Sequence, residues 1–171
     1  MPKKLRSNRA RPKTLAIPEP TRVGMPPGYA PEGTKFKFLP FSFAETRLSR
    51  AHNYWVCSTR PDARPHTAPV WGLWLDGAFY FSTDPSSTKA RNLSANPAIL
   101  VHAESGDEVV IVEGRCSPCE LTKAHDAAYF RKYKHHLIGF PAPMVMLRVE
   151  VTVIMAWREK AFSASTSRWQ F

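Results

Sequence analysis

The sequence has few cysteines and no long apolar segment. Its 171 residues include only three cysteines, an odd number that is too small for a disulfide framework. No apolar run reaches the roughly 18–20 residues that a membrane-spanning helix needs. No hydrophobic segment follows the basic N-terminus, as a secretory signal would require. We therefore expect a cytoplasmic protein that does not act at a membrane.

The common nucleotide-binding loops are missing as well. Neither GxGxxG, typical of dinucleotide-binding folds, nor GxxxxGK(S/T), typical of phosphate-binding loops, occurs in the chain. Only one strand–helix–strand unit is indicated, which argues against a doubly wound parallel sheet. Cysteines and histidines do not recur at the spacing of zinc ligands, so we expect no metal site.

Acidic residues are scarce, and the charge is unevenly distributed. The chain has 14 acidic and 24 basic residues, and seven of the basic ones lie within residues 1–22. We predict that residues 1–40 form a flexible, basic, proline-rich arm and that residues 41–171 form the folded domain. Such an arm could contact an acidic partner or nucleic acid. The folded part lacks the interleaved basic and aromatic residues of single-strand binders, so nucleic acid is the less favoured partner.

The chain does contain a series of short strand patterns separated by tight turns. Strands are expected at 53–59, 66–75, 78–82, 98–103, 108–115 and 144–157, and short helices at 42–52, 87–96 and 121–135. Ser42 and Glu45 predict a capping box for the first helix. The dipeptide Asp76-Gly77 is a strong hairpin signal. The pattern indicates an antiparallel β-barrel or sandwich with a few helices.

The segment from Tyr80 to Pro97 carries the most informative local pattern. A strand ends at Asp84-Pro85 and a helix follows at once, with Ser86 or Ser87 as its cap. The free N–H groups at such a helix start attract an anion. Nearby side chains add charge and hydroxyl groups: Lys89, Arg91, Ser82, Thr83, Ser87 and Thr88. The segment predicts a cradle for one phosphate group, with an ordinary capped helix as the alternative.

The pattern Cys116-Ser117-Pro118-Cys119 has two interpretations. A CxxC motif at a helix start is typical of a thioredoxin-like redox pair. Alternatively, Ser117 begins a capping box with proline at the first helical position. Thioredoxin folds need parallel strand–helix units, which this sequence lacks, so the capping box is favoured.

Together these motifs resemble the FMN-binding split-barrel family, whose namesake is pyridoxamine 5′-phosphate oxidase. The resemblance covers about residues 42–171 and rests on the order and spacing of short motifs rather than on any one of them. The matching pieces are Tyr54-Trp55-Val56, Arg60-Pro61-Asp62, Arg64 to Gly72, Leu75-Asp76-Gly77, Tyr80 to Thr83, Lys89 to Leu93, Glu104 to Asp107, Val112 to Gly114 and Ser167 to Phe171. The last of these is similar to the ending of a branch that uses flavin or the deazaflavin coenzyme F420.

The resemblance implies a six-stranded antiparallel split β-barrel, a homodimer, and a cofactor held between the subunits. It implies that one strand lines the ring or ribityl part of the cofactor, through His66, Thr67, Ala68, Pro69 and Val70. Ser82 and Thr83 would meet the ribityl chain or phosphate. The phosphate would be held by Ser87, Thr88, Lys89 and Asn92. Trp71, Trp74 and Trp169 could stack on a ring or wall a substrate pocket, with a place in the core as the favoured alternative. His66 is the one weak candidate for proton transfer, with a strand histidine that only forms hydrogen bonds as the alternative.

The implied activity is that of an oxidoreductase that uses coenzyme F420 or FMN for hydride transfer to or from a small organic substrate. The arginine-rich C-terminal segment with which the oxidase grips its substrate is missing after Arg158, so vitamin B6 oxidation is not expected. Two alternatives remain open. One is a non-catalytic carrier of a flavin, deazaflavin, haem or bilin, and the other is a nucleic-acid-associated protein acting through its basic arm.

Overall fold

The computed structural model describes residues 16–26 and 28–171 of the chain. Within this part, eight strands form one antiparallel sheet, with short helices packed around it. The strands are β1 (Tyr54–Thr59), β2 (Pro65–Val70), β3 (Gly72–Leu75), β4 (Ala78–Thr83), β5 (Ala98–Ala103), β6 (Glu108–Pro118), β7 (Val145–Arg158) and β8 (Ser167–Gln170). The helices are α1 (Phe41–Arg50), α2 (Thr88–Ala95), α3 (Lys123–Tyr133) and α4 (Phe162–Ser165), the last preceded by a 3-10 turn at Glu159–Ala161.

The strand order shows that the sheet curls on itself. The strands lie in the order β2-β1-β5-β6-β7-β4-β3, and β8 pairs with the far end of β7. The two edge strands, β2 and β3, are consecutive in the chain and are joined by Trp71 alone. A sheet whose opposite edges are linked by one residue must be bent into a barrel. The expected fold class, a mainly β split barrel with a few short helices, is confirmed.

Alternation along the strands separates the interior of the barrel from its outer surface. Residues paired across five strands form an inner row, none more than 1% exposed: Val56, Val101, Val112, Ile154 and Trp169. The adjacent row faces outward and is partly exposed: Trp55, His102, Ile111, Met155 and Arg168. Helix α1 closes the interior with buried Phe41, Phe43 and Leu48. The core therefore lies inside the curled sheet.

Two expected elements differ in detail. The single strand predicted at 66–75 is divided at Trp71 into β2 and β3, and β8 adds a further strand, so the sheet has eight strands rather than six. Pro65 and Pro69 are tolerated because β2 is an edge strand. The capping box predicted at Ser42 is wrong, because α1 begins at Phe41 after Pro40 and has no side-chain cap.

The helix start predicted at Ser117 is also wrong. Strand β6 continues through Pro118, where Cys116 pairs with Val149 and Pro118 with Leu147 of β7. Helix α3 begins five residues later, with a capping box formed by Thr122 and His125. Pairing with the long strand β7 keeps Cys116 to Pro118 in strand β6, although the local sequence favours the start of a helix there.

The predicted basic arm lies partly outside the described residues, which exclude residues 1–15. Its described part contacts the C-terminal end of the sheet. Thr21 and Arg168 exchange two backbone hydrogen bonds of 2.8 Å, and the Leu39 N–H donates to the Ser167 hydroxyl at 2.8 Å. Among the described residues, no helix is long and apolar enough to span a bilayer.

Candidate functional site

The turn between β4 and α2 forms a compact, hydroxyl-lined corner. The hydroxyls of Thr83 and Ser87 lie 3.0 Å apart, and the Ser87 hydroxyl also accepts from the Ala90 N–H at 3.3 Å. Asp84 accepts from both the N–H and the hydroxyl of Ser86 at 2.6 Å, which fixes the turn. The predicted cap at Ser87 is confirmed. The first turn of α2 carries no acidic residue, and the carboxylate of Asp84 in the preceding turn is engaged by Ser86.

The two basic residues of α2 have different surroundings. Arg91 donates from its guanidinium to the Ser86 carbonyl and, at 3.4 Å, to the Thr88 hydroxyl, so it is folded back onto the turn. Among the described residues, Lys89 takes part in neither an ion pair nor a side-chain hydrogen bond. Its ammonium group is therefore available to an anion beside the start of α2.

His66 lies on β2 next to this corner and has an unsatisfied nitrogen. It pairs in register with Ser58 of β1. Its Nδ1 atom is buried and has no hydrogen-bond partner among the described residues. Burial, followed by the positive charges of Arg60 and Lys89, holds the pKa of His66 below its usual value. A buried nitrogen without a hydrogen-bond partner, next to a corner that attracts anions, is consistent with a site where a polar ligand would supply the missing partner.

Asn92 connects the corner to the sheet rather than facing solvent. The residue is 3% exposed, and its side-chain amide donates to the Ser58 hydroxyl at 3.0 Å. Since Ser58 pairs with His66, this bond fixes α2 next to β1 and β2. Its observed role is to position the corner.

The remaining predicted residues fall on two faces. On β2, Val70 is buried, whereas Thr67 and Pro69 are exposed and Ala68 is partly exposed. On β4, Thr83 is buried on the face that includes Phe81, while Ser82 points the other way. The structure thus brings Thr83, Ser87, Thr88 and Lys89 together at one corner, with His66 alongside, and places Ser82 on the opposite side of β4.

Ser82 lines a separate pocket of about 330 Å³, here called the α3 pocket. It lies between β4, α3 and the segment that follows α3. Its lining is mostly aromatic and aliphatic: Trp71, Ser82, Tyr129, His135, His136, Leu137, Phe140 and Met144. Apart from Ser82 and Trp71, the sequence did not identify these residues as a site.

Comparison with known proteins agrees with this architecture. The family described as pyridoxamine 5′-phosphate oxidase matches the sequence over residues 43–158. The chain belongs to the pyridoxamine 5′-phosphate oxidase family. No curated protein matches the sequence significantly.

Solved structures with a similar fold are described by different functions. An F420 reductase is 25% identical with a TM-score of 0.54, and the match covers 64% of this chain and 94% of that chain. An FAD-binding protein from Mesorhizobium loti is 18% identical (TM-score 0.55, 78% and 95% covered). A haem-binding protein from Mycobacterium smegmatis is 16% identical (TM-score 0.55, 74% and 62% covered). The last two likenesses show the fold alone.

In this member of the pyridoxamine 5′-phosphate oxidase family, Trp169 belongs to the core. Its indole is 1% exposed and packs edge to face on Phe41 at 5.4 Å. It pairs with Ile154 in the inner row, so alternation along β8 directs it into the barrel. This buried position agrees with the core alternative for Trp169 rather than with stacking on a cofactor ring.

The cysteines of the CxxC pattern are poorly suited to redox chemistry. Cys116 is 6% exposed, and burial, with a smaller effect of Cys119, raises its pKa to about 12. Burial also raises the pKa of Cys119. Reactive thiols have a lowered pKa, often at a helix start, and the helix start expected here is absent. The redox interpretation of the CxxC pattern is therefore disfavoured, and the capping box favoured over it is absent as well, since β6 runs through Pro118.

Sequence reasoning missed a polar network that attaches α3 to the barrel. Lys132 donates to the Tyr54 hydroxyl at 2.7 Å and to the Gly72 carbonyl at 3.0 Å. The Tyr133 hydroxyl accepts from the Gly72 N–H at 2.9 Å and lies 2.9 Å from the His52 carbonyl. The dense run of aromatic and basic residues at 129–136 is the sequence signal that could have indicated it.

Proposed function

We propose that this protein is an oxidoreductase that binds coenzyme F420 or FMN and uses it for hydride transfer to or from a small organic substrate. The observation that carries the proposal is the β4–α2 corner, where the Thr83 and Ser87 hydroxyls meet the start of α2 beside Lys89. Family membership and the likeness to an F420 reductase support the class of cofactor. When bound, the cofactor would supply the hydride chemistry.

The corner would hold the cofactor phosphate. The first N–H groups of α2 have no partner within the helix, and Thr83, Ser87 and Thr88 add hydroxyl groups. Lys89 adds a full positive charge. A charge-assisted hydrogen bond is worth about 1.5–3 kcal/mol, which corresponds to roughly a 10- to 100-fold change in affinity. Lys89 is therefore the residue whose loss should weaken binding most directly.

His66 would act next to the polar part of the cofactor as a neutral imidazole. Its lowered pKa means that the ring is uncharged at neutral pH, so it can donate or accept one hydrogen bond without burying a charge. Binding of a polar cofactor atom would satisfy the orphaned Nδ1. We assign His66 to cofactor orientation and name no acid or base for the reaction.

We further propose that the protein is a homodimer with the cofactor at the subunit interface. Trp55, Ile111 and Met155 make the outer row a largely apolar stripe, in which His102 lies between Trp55 and Ile111. Trp55 is 38% exposed and stacks on His102 at 6.5 Å. An apolar stripe of this kind is typical of a protein–protein interface, and a second copy of the chain is the occupant that the family resemblance implies.

The experiment is a titration of the full-length protein with F420 and with FMN, followed through the fluorescence of the ring. Reoxidation of the reduced cofactor by a panel of organic acceptors is then measured. Saturable binding with turnover supports the proposal. Binding with no turnover for any acceptor contradicts the enzymatic part and favours a carrier, and binding of neither cofactor contradicts the proposal as a whole.

A further inference from the structure

The α3 pocket has the size and lining of a small-molecule site. Its volume of about 330 Å³ lies at the lower end of the range for ligand pockets, roughly 300–1,000 Å³. Tyr129, Leu137 and Met144 supply apolar surface, and Phe140 stands 57% exposed at its rim. Such a volume suits a flat molecule of about two fused rings rather than a whole nucleotide cofactor.

The aromatic wall of the pocket is held in place by its neighbours. Trp71 is stacked between Tyr133 at 4.7 Å and His135 at 5.6 Å, with interplanar angles of 6° and 27°. The Tyr133 hydroxyl is in turn bonded to the Gly72 backbone. A wall of stacked rings loses little conformational freedom when a ligand binds, which favours binding of apolar molecules.

One polar side chain at the open edge of the pocket is held in a fixed orientation. His136 lines the pocket with its side chain 58% exposed, and its Nδ1 atom lies 2.7 Å from Asp126. Asp126 also accepts from the N–H groups of Leu137 at 2.6 Å and Ile138 at 3.0 Å, and these bonds, the Ile138 one first, hold its pKa below the usual value. A carboxylate therefore fixes the ring, and the Nδ1 bond is the only hydrogen bond that the ring makes among the described residues.

The assignment of protons follows from this contact. An ionised Asp126 only accepts, so Nδ1 of His136 carries the proton that it donates. Nε2 is the ring nitrogen left free by this contact, an acceptor in the neutral ring and a donor in the imidazolium. A hydroxyl group can pair with Nε2 in either form, while the apolar body of the ligand lies against Phe140 and Met144.

The pocket lies next to the phosphate corner but does not overlap it. Ser82 lines the pocket, whereas its neighbour Thr83 is bonded to Ser87 at the corner. The two residues are adjacent on β4 and point to opposite faces. Two ligands held at these two places would therefore be close to each other without competing for the same side chains.

We propose that the α3 pocket binds a flat, apolar molecule with a hydroxyl group that forms a hydrogen bond with Nε2 of His136, and that this molecule is the substrate class of the enzyme. The binding site itself stands on the pocket and on the Asp126–His136 pair. Its role as substrate site rests on the proposed oxidoreductase function. The two claims can be tested separately because binding to the pocket is measured without cofactor.

The experiment uses 2-naphthol as the probe, with naphthalene as a matched probe that lacks the hydroxyl. Binding of each to the full-length, cofactor-free protein is followed by probe fluorescence. Phe140→Ala should weaken binding of both probes several-fold. His136→Ala should weaken 2-naphthol by roughly 5- to 10-fold and leave naphthalene unchanged, since one hydrogen bond is worth about 1 kcal/mol or slightly more. Lys123→Ala, at an exposed position at the start of α3 that does not line the pocket, is the control and should change neither.

Several results would overturn the inference. The inference fails if neither Phe140→Ala nor His136→Ala weakens the binding of 2-naphthol. It also fails if His136→Ala reduces the affinity for 2-naphthol and for naphthalene equally. Displacement of the probe by F420 or FMN, together with a Phe140→Ala loss of cofactor affinity, would show that the pocket belongs to the cofactor instead. If the probe binds as expected while neither cofactor binds, the pocket stands as a ligand site and only its substrate role fails.

Discussion

Lys132 provides a sharp test of the contacts that attach α3 to the barrel. Its ammonium group lies against the rings of Tyr54 and Tyr133, 4.6 and 5.1 Å from their centroids, and donates to the Gly72 carbonyl. Burial lowers the pKa of Lys132 from 10.5 to about 8, although the charge of Glu104 opposes the shift. The folded state therefore binds this proton less tightly than the unfolded chain does.

The direction of the effect on stability follows from linkage. Between the two pKa values the unfolded chain carries more protons, so the free energy of unfolding should rise with pH in that range. The full shift corresponds to about 3 kcal/mol, of which about 2 kcal/mol falls between about pH 7 and pH 9.5. Above that range, ionisation of unfolded tyrosines opposes the gain, because burial raises the pKa of Tyr133 to about 12 in the folded state.

The assay is urea unfolding of the wild type, Lys132→Met and Lys123→Met across that pH range. Lys123 is an exposed lysine at the start of the same helix and serves as the matched control. The free energy of unfolding of the wild type minus that of Lys132→Met should increase by about 2 kcal/mol as the pH rises over this range. A difference that does not depend on pH, or an equal change with Lys123→Met, would refute the reasoning.

Three further predictions concern the sheet. Gly114→Ala should destabilise by roughly 1–3 kcal/mol in urea unfolding, because a Cβ there would lie 2.2 Å from the Glu150 carbonyl oxygen; Gly106→Ala, with nothing within 4 Å, should cost far less, and equal losses would be inconsistent with this. Trp169→Ala should lower the free energy of unfolding by about 3–5 kcal/mol. If the variant were as stable as the wild type but bound the cofactor more weakly, Trp169 would instead have the stacking role. Trp55→Glu should convert a dimer to a monomer in light scattering with unchanged circular dichroism, whereas a persistent dimer would exclude the outer row as the interface.

The parts of the fold that depend on local chemistry were predictable from the sequence. Ser87 caps α2 as expected, since capping needs only a hydroxyl and the N–H groups that follow it. The hairpin at Asp76-Gly77 forms with positive φ angles of 50° and 73°, which this dipeptide favours. The order of strands along the chain also follows from alternation and turn residues.

The parts that depend on distant pairing were not predictable. The helix signal at Ser117 was overridden by pairing of β6 with β7, which lies about thirty residues further along the chain. The face of the barrel on which Trp169 lies depends on its register with Ile154, and one residue of slip would reverse it. The α3 pocket likewise joins Trp71 and Ser82 to residues 129–144, and no local pattern links these segments.

The most direct test of the central claim is the affinity of the full-length protein for F420 and FMN in the wild type, Lys89→Ala and Lys123→Ala. If the β4–α2 corner holds the cofactor phosphate, Lys89→Ala should weaken the preferred cofactor roughly 10- to 100-fold. Lys123→Ala, which removes an equal charge from the start of a different helix, should leave the affinity within about two-fold. Equal affinities for all three proteins, or an equal loss in both variants, would contradict the account.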